Sequence, residues 1–312
     1  MAAATSPLVS VERLAGWLAE PNPPVVVDLR WYLGRPGDGR AAYVAGHIPG
    51  AIFLDLDDDL ADPSGFGAPG RHPLPDPAAF AAHMAEAGIG DGARVVGYDD
   101  VGGWVAARLW WMLDNLGFGR RGIGGESVGV LDGGIGAWTA SGRPLETELP
   151  QAPAHPARLS LEGRWSRVIA RGELRERLGS VTLLDARGAP RYRGEVEPVD
   201  PVAGHIPTAV SAPYDTNLGP DGTLLDRGAL ADRYAGLGIT AGSAAAADTV
   251  ISCGSGTSAC HHALAMRVAG LPDPILYVGS YSDWSRSGEP VATGAAPGAP
   301  PPPGPPPTPR AY

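Results

Sequence analysis

The chain has 312 residues, about twice the length of a typical domain, so two domains are expected. Hydrophobic residues make up 44%, and the net charge of −10 argues against nucleic acid or an anionic membrane as a general partner. The two cysteines are too few for a disulfide framework or a typical structural zinc site, and they fit a reducing compartment.

The start of the chain bears on where the protein works. MAAATSPLVSVERLAGWL (1–18) lacks the basic beginning and the long apolar core of a secretory signal. No apolar run approaches the roughly 18 residues that would span a bilayer. We therefore expect a soluble, cytoplasmic protein that binds neither membranes nor nucleic acids.

Short β-rich runs alternate with helix-compatible segments along the chain. The first half predicts a helix over 104–118 and strands at VVVDL (25–29), ARVVGYD (93–99) and GVLDGG (129–134). The second half predicts a helix over 258–270 and strands at VTLLDA (181–186), DTVISC (248–253) and ILYVGS (275–280). This alternation indicates α/β units with mostly parallel sheets, in which ligands bind at the carboxyl ends of strands.

The chain also contains an internal duplication. Three segments return in the same order and at similar separations: VVVDLR as TLLDAR, AGHIPGA as AGHIPTA, and LDGGIGAWTASGRPL as YVGSYSDWSRSGEPV. These repeats predict two copies of one domain, at residues 1–146 and 166–294. A linker is expected at 147–165, and the Pro-rich residues 295–312 are expected to form a disordered tail.

The loop CGSGTS (253–258) is the strongest candidate for chemistry. Cys253 ends a predicted strand, and its glycines allow successive N–H groups to converge ahead of a helix, which favours an anion or a thiolate. The first copy has Tyr98 and Asp99 at the corresponding place. A duplicated enzyme with one active site, in the second copy, would have this asymmetry.

The GHIP segments, the DGG-x-x-x-W ending and CGSGTS closely resemble the tandem-domain sulfurtransferases, which include the rhodaneses and the 3-mercaptopyruvate sulfurtransferases. The resemblance covers the chain to about residue 294. It implies two tandem rhodanese-like domains, each a mostly parallel sheet flanked by helices. It further implies that Cys253 accepts sulfane sulfur as a persulfide and passes it to a nucleophile, which makes the chain an enzyme.

The choice of sulfur donor depends on the same loop. Family members that prefer thiosulfate tend to carry basic residues after the cysteine, whereas those that prefer 3-mercaptopyruvate resemble CGSG followed by small residues. No Lys or Arg lies between Cys253 and Ala259, which favours 3-mercaptopyruvate. Thiosulfate is the alternative donor, and a non-enzymatic sulfur-carrier or binding module is the alternative class.

A carboxylate on the donor calls for an arginine. The resemblance assigns that role to Arg191, which precedes an aromatic residue in the family's R-F/Y-x-G segment. A second arginine often follows in the family, but Val199 and Asp200 stand there in this chain. For Arg187, which repeats the position of Arg30, a structural ion pair is predicted.

Release of the sulfur from mercaptopyruvate also requires a proton to move. The resemblance implies that Ser255 and a first-domain aspartate, matched by Asp57, act with the cysteine, and that His72 and Trp31 line the cleft. The remaining substrate contacts are expected from the loop that follows Cys253, at Gly254, Gly256, Thr257 and Ser258.

Other conspicuous residues have structural interpretations. His47 and His205 occur in both copies, as do Trp138 and Trp284, so packing roles are predicted for all four. Cys260 should be a packed thiol in the helix after the loop.

No cofactor or metal is implied by the sequence. His261 and His262 lack a spaced third ligand. The expected partners are a small anionic sulfur donor and a thiol acceptor such as thioredoxin or a small thiol.

Overall fold

The computed structural model describes residues 6–62, 70–119, 127–151 and 154–302. These residues form two α/β units of the same architecture. Each unit has a five-stranded parallel sheet with helices packed against it. None of the described helices has the length and apolar character needed to cross a bilayer.

The first unit has the strand order β1-β5-β4-β2-β3. Its strands are β1 (Leu8–Val9), β2 (Val25–Asp28), β3 (Ile52–Phe53), β4 (Val95–Tyr98) and β5 (Val128–Leu131). Its helices are α1 (Val11–Leu18), α2 (Asp38–Ala45), α3 (Pro77–Glu86), α4 (Trp104–Asn115) and α5 (Gly134–Ala140). The Val-rich strands β2 and β4 lie side by side in the middle, because β-branched residues suit a sheet that is covered on both faces.

The second unit repeats this order as β6-β10-β9-β7-β8. Its strands are β6 (Val168–Ile169), β7 (Thr182–Asp185), β8 (Val210–Ser211), β9 (Thr249–Ser252) and β10 (Ile275–Tyr277). Its helices are α6 (Arg171–Arg177), α7 (Ala189–Arg193), α8 (Arg227–Gly236), α9 (Ala244–Ala247), α10 (Ala259–Ala269) and α11 (Ser280–Trp284), with a 3-10 helix at Tyr214–Asn217. All six predicted strands and both predicted helices are therefore confirmed.

The predicted ion pairs are present in both units. Arg30 binds Asp28 at 2.6 Å and Arg187 binds Asp185 at 2.7 Å, with all four side chains buried. Each arginine also donates to the carbonyl oxygen of the glycine that precedes the repeated histidine. The pairs therefore tie the end of a central strand to the following helix and loop.

The duplicated histidines and tryptophans are packed, as predicted. His47 and His205 are fully buried, and each stacks on a tyrosine ring. The indole nitrogens of Trp138 and Trp284 donate to equivalent proline carbonyls at 2.9 and 2.8 Å. These contacts are the same in both units, so they support the shared fold.

The two units meet along α4 and α10, and one apolar core runs through both. In the connection between them, Trp165 stacks on Trp111 of α4 with 6.0 Å between ring centroids, and its indole donates to the Pro75 carbonyl. Near the end of the chain, the Thr208 N–H donates to the Pro297 carbonyl at 2.6 Å, against the second unit. Residues 303–312 of the predicted tail lie outside the described residues.

The buried histidines of α10 predict a pH-dependent stability. Burial lowers the pKa of His261 to about 3 and that of His262 to about 4, below the ordinary 6.5. Between pH 6.5 and about 4 these two histidines therefore bind more protons in the unfolded chain than in the folded one. The free energy of unfolding should fall with falling pH by up to about 1.4 kcal/mol per pH unit for each histidine.

Urea unfolding at pH 7 and pH 5 tests this expectation. His262→Gln should lose less stability than the wild type between the two pH values, because one titrating group is absent. His155 is exposed, so His155→Gln is the matched control and should behave as the wild type does. An equal loss in the His262→Gln variant and the wild type would contradict the prediction.

Candidate active site

The loop that contains the candidate nucleophile, residues 253–258, connects β9 to α10. Cys253 follows the last residue of β9, and Gly256 has a φ of +82°. A Cβ at Gly256 would lie 2.4 Å from the Val278 carbonyl oxygen, so only glycine fits there. This curl lets the Gly256 N–H donate to Cys253 Sγ at 3.1 Å. A backbone donor is therefore already directed at the sulfur, as a thiolate would need.

The start of α11 holds the loop from the other side. The Cys253 N–H donates to Ser280 Oγ at 3.1 Å, and the Cys253 carbonyl accepts from the Tyr281 N–H at 2.9 Å. The Gly254 carbonyl accepts from the Ser282 N–H at 2.8 Å. With its backbone bound on both sides, Cys253 has little freedom to move, and only 2% of it is exposed.

A serine, a histidine and an aspartate form a line across the boundary between the two units. Ser255 Oγ lies 2.7 Å from His72 Nδ1, and His72 Nε2 lies 2.8 Å from Asp57 Oδ1. An ionised carboxylate can only accept, so Nε2 carries the proton and Nδ1 accepts from the serine hydroxyl. Thr257 Oγ1 approaches the same Nδ1 at 3.3 Å. The arrangement can pass a proton to and from Ser255.

The charge states of this line follow from its surroundings. The hydrogen bond from His72, supported by one from the Trp31 indole, lowers the pKa of Asp57, although partial burial opposes the effect. Burial lowers the pKa of His72, and this outweighs the raising effect of Asp57. At neutral pH the imidazole is therefore neutral and the carboxylate ionised, which are the states that a proton relay needs.

A cleft of about 210 Å³ opens between the units over Cys253, Ser255 and His72. Its volume suits a small molecule rather than a large ligand. Its lining combines aromatic rings with polar and cationic groups from both units: Trp31, Leu33, Arg71, His72, Trp104, Ala186, Arg187, Gly188, Arg191, Tyr214, Cys253, Gly254, Ser255, Thr257 and Ser258.

The predicted substrate arginine lies in the cleft but is not free. Arg191 binds Glu197 at 2.6 Å and Asp200 at 3.4 Å. Both carboxylates are almost fully buried, with side-chain exposures of 3% and 0%. They fix the position of the guanidinium group, and the Arg191 side chain, which is 20% exposed, lines the cleft.

A second cleft arginine comes from the first unit and was missed by the sequence analysis. Arg71 binds Asp200 at 2.5 Å, and Arg286 binds the same carboxylate at 2.9 Å. The loop itself has no Lys or Arg between Cys253 and Ala259, but the fold brings cationic side chains to it from other segments of the chain. Arg71 immediately precedes His72 in RHPLP, and this adjacency was the one available signal.

A buried arginine beneath the loop was also missed. Arg108 of α4 is fully buried and donates to the carbonyls of His72 at 3.1 Å and of Leu60 and Gly256 at 3.4 Å. Burial lowers its pKa. Arg108 therefore joins the His72 segment of the first unit to the loop of the second.

Cys260 has the packed position that was predicted for it. Its thiol is fully buried and donates to the Gly256 carbonyl at 3.4 Å. Burial raises its pKa to about 12, so it stays protonated at neutral pH. A buried neutral thiol is a poor nucleophile.

The other predicted loop residues surround the reactive centre unevenly. Gly254, Thr257 and Ser258 line the cleft together with Cys253. Gly256 does not line it, since its carbonyl points toward Arg108 and Cys260. Its N–H is the part that faces the sulfur.

In the first unit, the side chain of Asp99 fills the loop that corresponds to the Cys253 loop. Asp99 follows β4, as Cys253 follows β9, and is fully buried. Its carboxylate accepts four backbone N–H groups at 2.7–3.0 Å, from Val101, Gly103, Val105 and Ala106. The N–H donors of this loop are therefore bound by a side chain of the loop itself, and no cysteine follows β4.

The family model of the rhodanese-like domain matches residues 10–141 and again residues 170–287. The chain belongs to the rhodanese family. The two matches coincide with the two units, so the predicted tandem rhodanese-like α/β fold is confirmed. In the rhodanese-like second unit, the match includes the whole Cys253 loop.

Sulfurtransferases are similar to this chain over nearly its whole length. A Pseudomonas aeruginosa protein named as a probable 3-mercaptopyruvate sulfurtransferase is 42% identical over 290 residues, covering 92% of this chain and 98% of the relative. A Mycobacterium tuberculosis protein, assigned provisionally by name to the thiosulfate sulfurtransferases, is 39% identical over 291 residues, covering 93% and 98%. The solved 3-mercaptopyruvate sulfurtransferase of Leishmania major has a TM-score of 0.74 at 29% identity, covering 89% of this chain and 74% of that one.

Proposed function

We propose that this protein is a 3-mercaptopyruvate sulfurtransferase that carries sulfur as a persulfide on Cys253. The observation that supports this most strongly is the Ser255–His72–Asp57 line beside the cysteine. A relay of this kind has a use only where the sulfur donor must also exchange a proton. The curated relatives carry the names of both donors, so their names alone do not decide between them.

The first half-reaction moves sulfur from the donor to the enzyme. The Cys253 thiolate attacks the sulfur of 3-mercaptopyruvate, an S–S bond forms, and the C–S bond breaks. The electron pair of the broken bond leaves with carbon as the enolate of pyruvate, so sulfur is oxidised and carbon reduced. The products are a Cys253 persulfide anion and, after protonation of the enolate carbon, pyruvate.

The proton that completes pyruvate comes from the donor's own thiol. Ser255 is placed to take it because its hydroxyl already donates to neutral His72. His72 can hold the proton while the ionised Asp57 stabilises the imidazolium. Return of the proton to the enolate carbon leaves the relay as it began. The N–H of Gly256 stabilises the charge on sulfur at the start of the reaction.

The second half-reaction returns the enzyme to its resting state. An acceptor thiolate attacks the outer sulfur of the persulfide, takes it as a new persulfide and releases the Cys253 thiolate. Cyanide can act in the same way and gives thiocyanate. A thiol acceptor such as thioredoxin or a small thiol fits this step.

Thiosulfate is the second candidate donor, and the cationic groups around the cleft favour it. Transfer from thiosulfate releases sulfite without any proton movement, so the relay would have no function. Arg71, Arg187 and Arg191 line the cleft and could hold a compact dianion. The rate of sulfur transfer from each donor therefore distinguishes the two candidate functions.

Sulfur transfer to cyanide should be measured with each donor separately, together with the intact mass of the protein after donor alone. We expect a large preference for 3-mercaptopyruvate and a gain of one sulfur atom. Cys253→Ser should abolish both. Cys260→Ser, the matched control, should still gain sulfur because its thiol is buried and protonated.

Two outcomes would contradict the proposal. A preference for thiosulfate would make the protein a thiosulfate sulfurtransferase and would remove the role given to Ser255, His72 and Asp57. No gain of sulfur from either donor would indicate a binding module without sulfurtransferase activity.

A further inference from the structure

The buried arginine beneath the Cys253 loop, Arg108, carries a charge to which the proposed reaction has given no role. We propose that the Arg108 guanidinium is the counter-ion of the Cys253 sulfur, both in the resting thiolate and when the acceptor takes the outer sulfur of the persulfide. Arg108 is then a positioning residue, because it acts on the sulfur through its charge and does not touch the donor. The inference rests on the proposed function, in which Cys253 is the nucleophile, and it holds for either donor.

Arg108 belongs to a helix that is almost entirely enclosed. Ten of the twelve residues of α4 are buried, and the Arg108 side chain is fully buried among them. Apolar side chains normally occupy such positions, because a charge that leaves water destabilises the fold unless a partner balances it. An arginine at this position therefore calls for a negative charge nearby.

No carboxylate among the described residues forms an ion pair with Arg108. The hydrogen bonds of its guanidinium go to backbone carbonyls, of His72 at 3.1 Å and of Leu60 and Gly256 at 3.4 Å. Two of these bonds are longer than the usual limit of about 3.2 Å. The buried Nε of Arg108 has no hydrogen-bond partner in the described part of the chain. Backbone dipoles therefore satisfy this cation incompletely.

The group that can supply the negative charge is a cysteine sulfur. Gly256 separates the guanidinium from Cys253, since its N–H donates to Cys253 Sγ at 3.1 Å and its carbonyl accepts from Arg108 at 3.4 Å. Arg108 does not line the cleft, so it approaches the sulfur from the closed side. Burial lowers the pKa of Arg108, and negative charge on Cys260 or Cys253 acts in the opposite direction. Because Cys260 stays protonated at neutral pH, Cys253 is the sulfur that carries the charge.

The other titratable groups around Cys253 lie on the side of the cleft. They are Arg71, His72, Arg187, Arg191 and Tyr214 in its lining, with Asp57 bound to His72. The three arginines are bound to the buried carboxylates of Asp185, Glu197 and Asp200. Burial lowers the pKa of His72 and raises that of Tyr214 to about 12, so both are neutral at neutral pH. Arg108 differs from the cleft arginines in having no carboxylate among the described residues, and its charge acts through an interior that screens it little.

A fixed cation behind the sulfur acts in both half-reactions. It favours the thiolate, which is the nucleophile of the first step. It also stabilises the same thiolate as the leaving group of the second step. Both effects are independent of the donor, so loss of the charge should slow transfer from 3-mercaptopyruvate and from thiosulfate alike. This separates the role of Arg108 from that of His72, which concerns the proton of 3-mercaptopyruvate.

The pH dependence of alkylation by iodoacetamide reports the charge on Cys253 without any sulfur donor. Arg108→Gln keeps a donor for the carbonyls and loses the charge, so its pH of half-maximal rate should rise by roughly one to two units. Arg108→Lys keeps the charge and should lie within about half a unit of the wild type. Sulfur transfer to cyanide at pH 7 should fall by roughly tenfold or more in Arg108→Gln, by a similar factor with each donor.

Arg267→Met is the matched control, because Arg267 also joins α10 to α4 but is balanced by Asp114 and Asp273. It should leave the alkylation midpoint within about 0.3 units of the wild type. Thermal unfolding establishes that each variant is folded, and Arg108→Met is the second neutral variant.

Three results would overturn the role of Arg108. They are a wild-type midpoint in a folded neutral variant, an equal shift in Arg108→Lys, and failure of both neutral variants to fold, since the fold itself would then require the arginine. The proposed function stands in each case, because it is tested separately by the donor comparison in the wild type.

Discussion

Replacement of His72 by glutamine is expected to lower kcat for sulfur transfer from 3-mercaptopyruvate by roughly 10²- to 10⁴-fold, the range of general acid–base contributions. Glutamine can still hydrogen-bond to Ser255 and Asp57, but it cannot accept and release a proton. Transfer from thiosulfate involves no proton and should fall far less. The ratio of the two rates is therefore the measurement that identifies a relay.

A second histidine of the first unit provides the control for this experiment. His83 Nε2 lies 2.7 Å from Asp59 Oδ1, so it forms the same type of pair as His72 and Asp57, but outside the cleft. His83→Gln should leave both rates within about twofold of the wild type. Equal losses with the two donors in His72→Gln would show that the histidine only supports the loop.

Replacement of Asp99 by alanine is expected to lower the free energy of unfolding by about 3–5 kcal/mol. The carboxyl group accepts from three buried N–H groups and one partly buried N–H group, and alanine would remove the acceptor of all four. Burial raises the pKa of this carboxyl, and the N–H bonds oppose that rise without cancelling it. Asp99→Asn should lose less, because one amide oxygen can still accept.

Urea unfolding at pH 7 measures both variants. Asp221 is the matched control, since it accepts from the Thr223 N–H and hydroxyl in an exposed turn. Asp221→Ala should change the free energy of unfolding by less than about 0.5 kcal/mol, in line with other surface sites. A loss below about 1 kcal/mol for Asp99→Ala would contradict the role of Asp99 in holding its loop.

The central part of the fold could be predicted from the sequence because its signals are local. Buried strands such as Val25–Asp28 and Thr249–Ser252 are apolar runs between turn residues, and α10 ends at Gly270 with a φ of +77°. The two-residue strands β1, β3, β6 and β8 could not be found in this way. They exist only through pairing with a neighbouring strand, and their own residues carry no periodicity.

The residues of the candidate site can likewise be separated into those with a local sequence signal and those without one. Cys253 and Ser255 belong to one loop whose glycines are visible in the sequence. Asp57 and His72 were reached through the family resemblance, but nothing in the chain showed that His72 would connect Asp57 to Ser255. Arg71 and Arg108 were missed because their positions depend on how the two units pack together. Contacts of that kind follow from tertiary structure and leave no local pattern.

The line from Ser255 to Asp57 crosses between the two copies of the repeat, with the nucleophile on one side and the histidine and aspartate on the other. Under the proposed function, the two halves of the chain would therefore act only together. A gene split within the linker would leave a second half that keeps Cys253 and Ser255 but lacks His72 and Asp57. Under the proposed function, the unit that has Asp99 in place of a cysteine would be required for a reaction whose bonds form in the other unit.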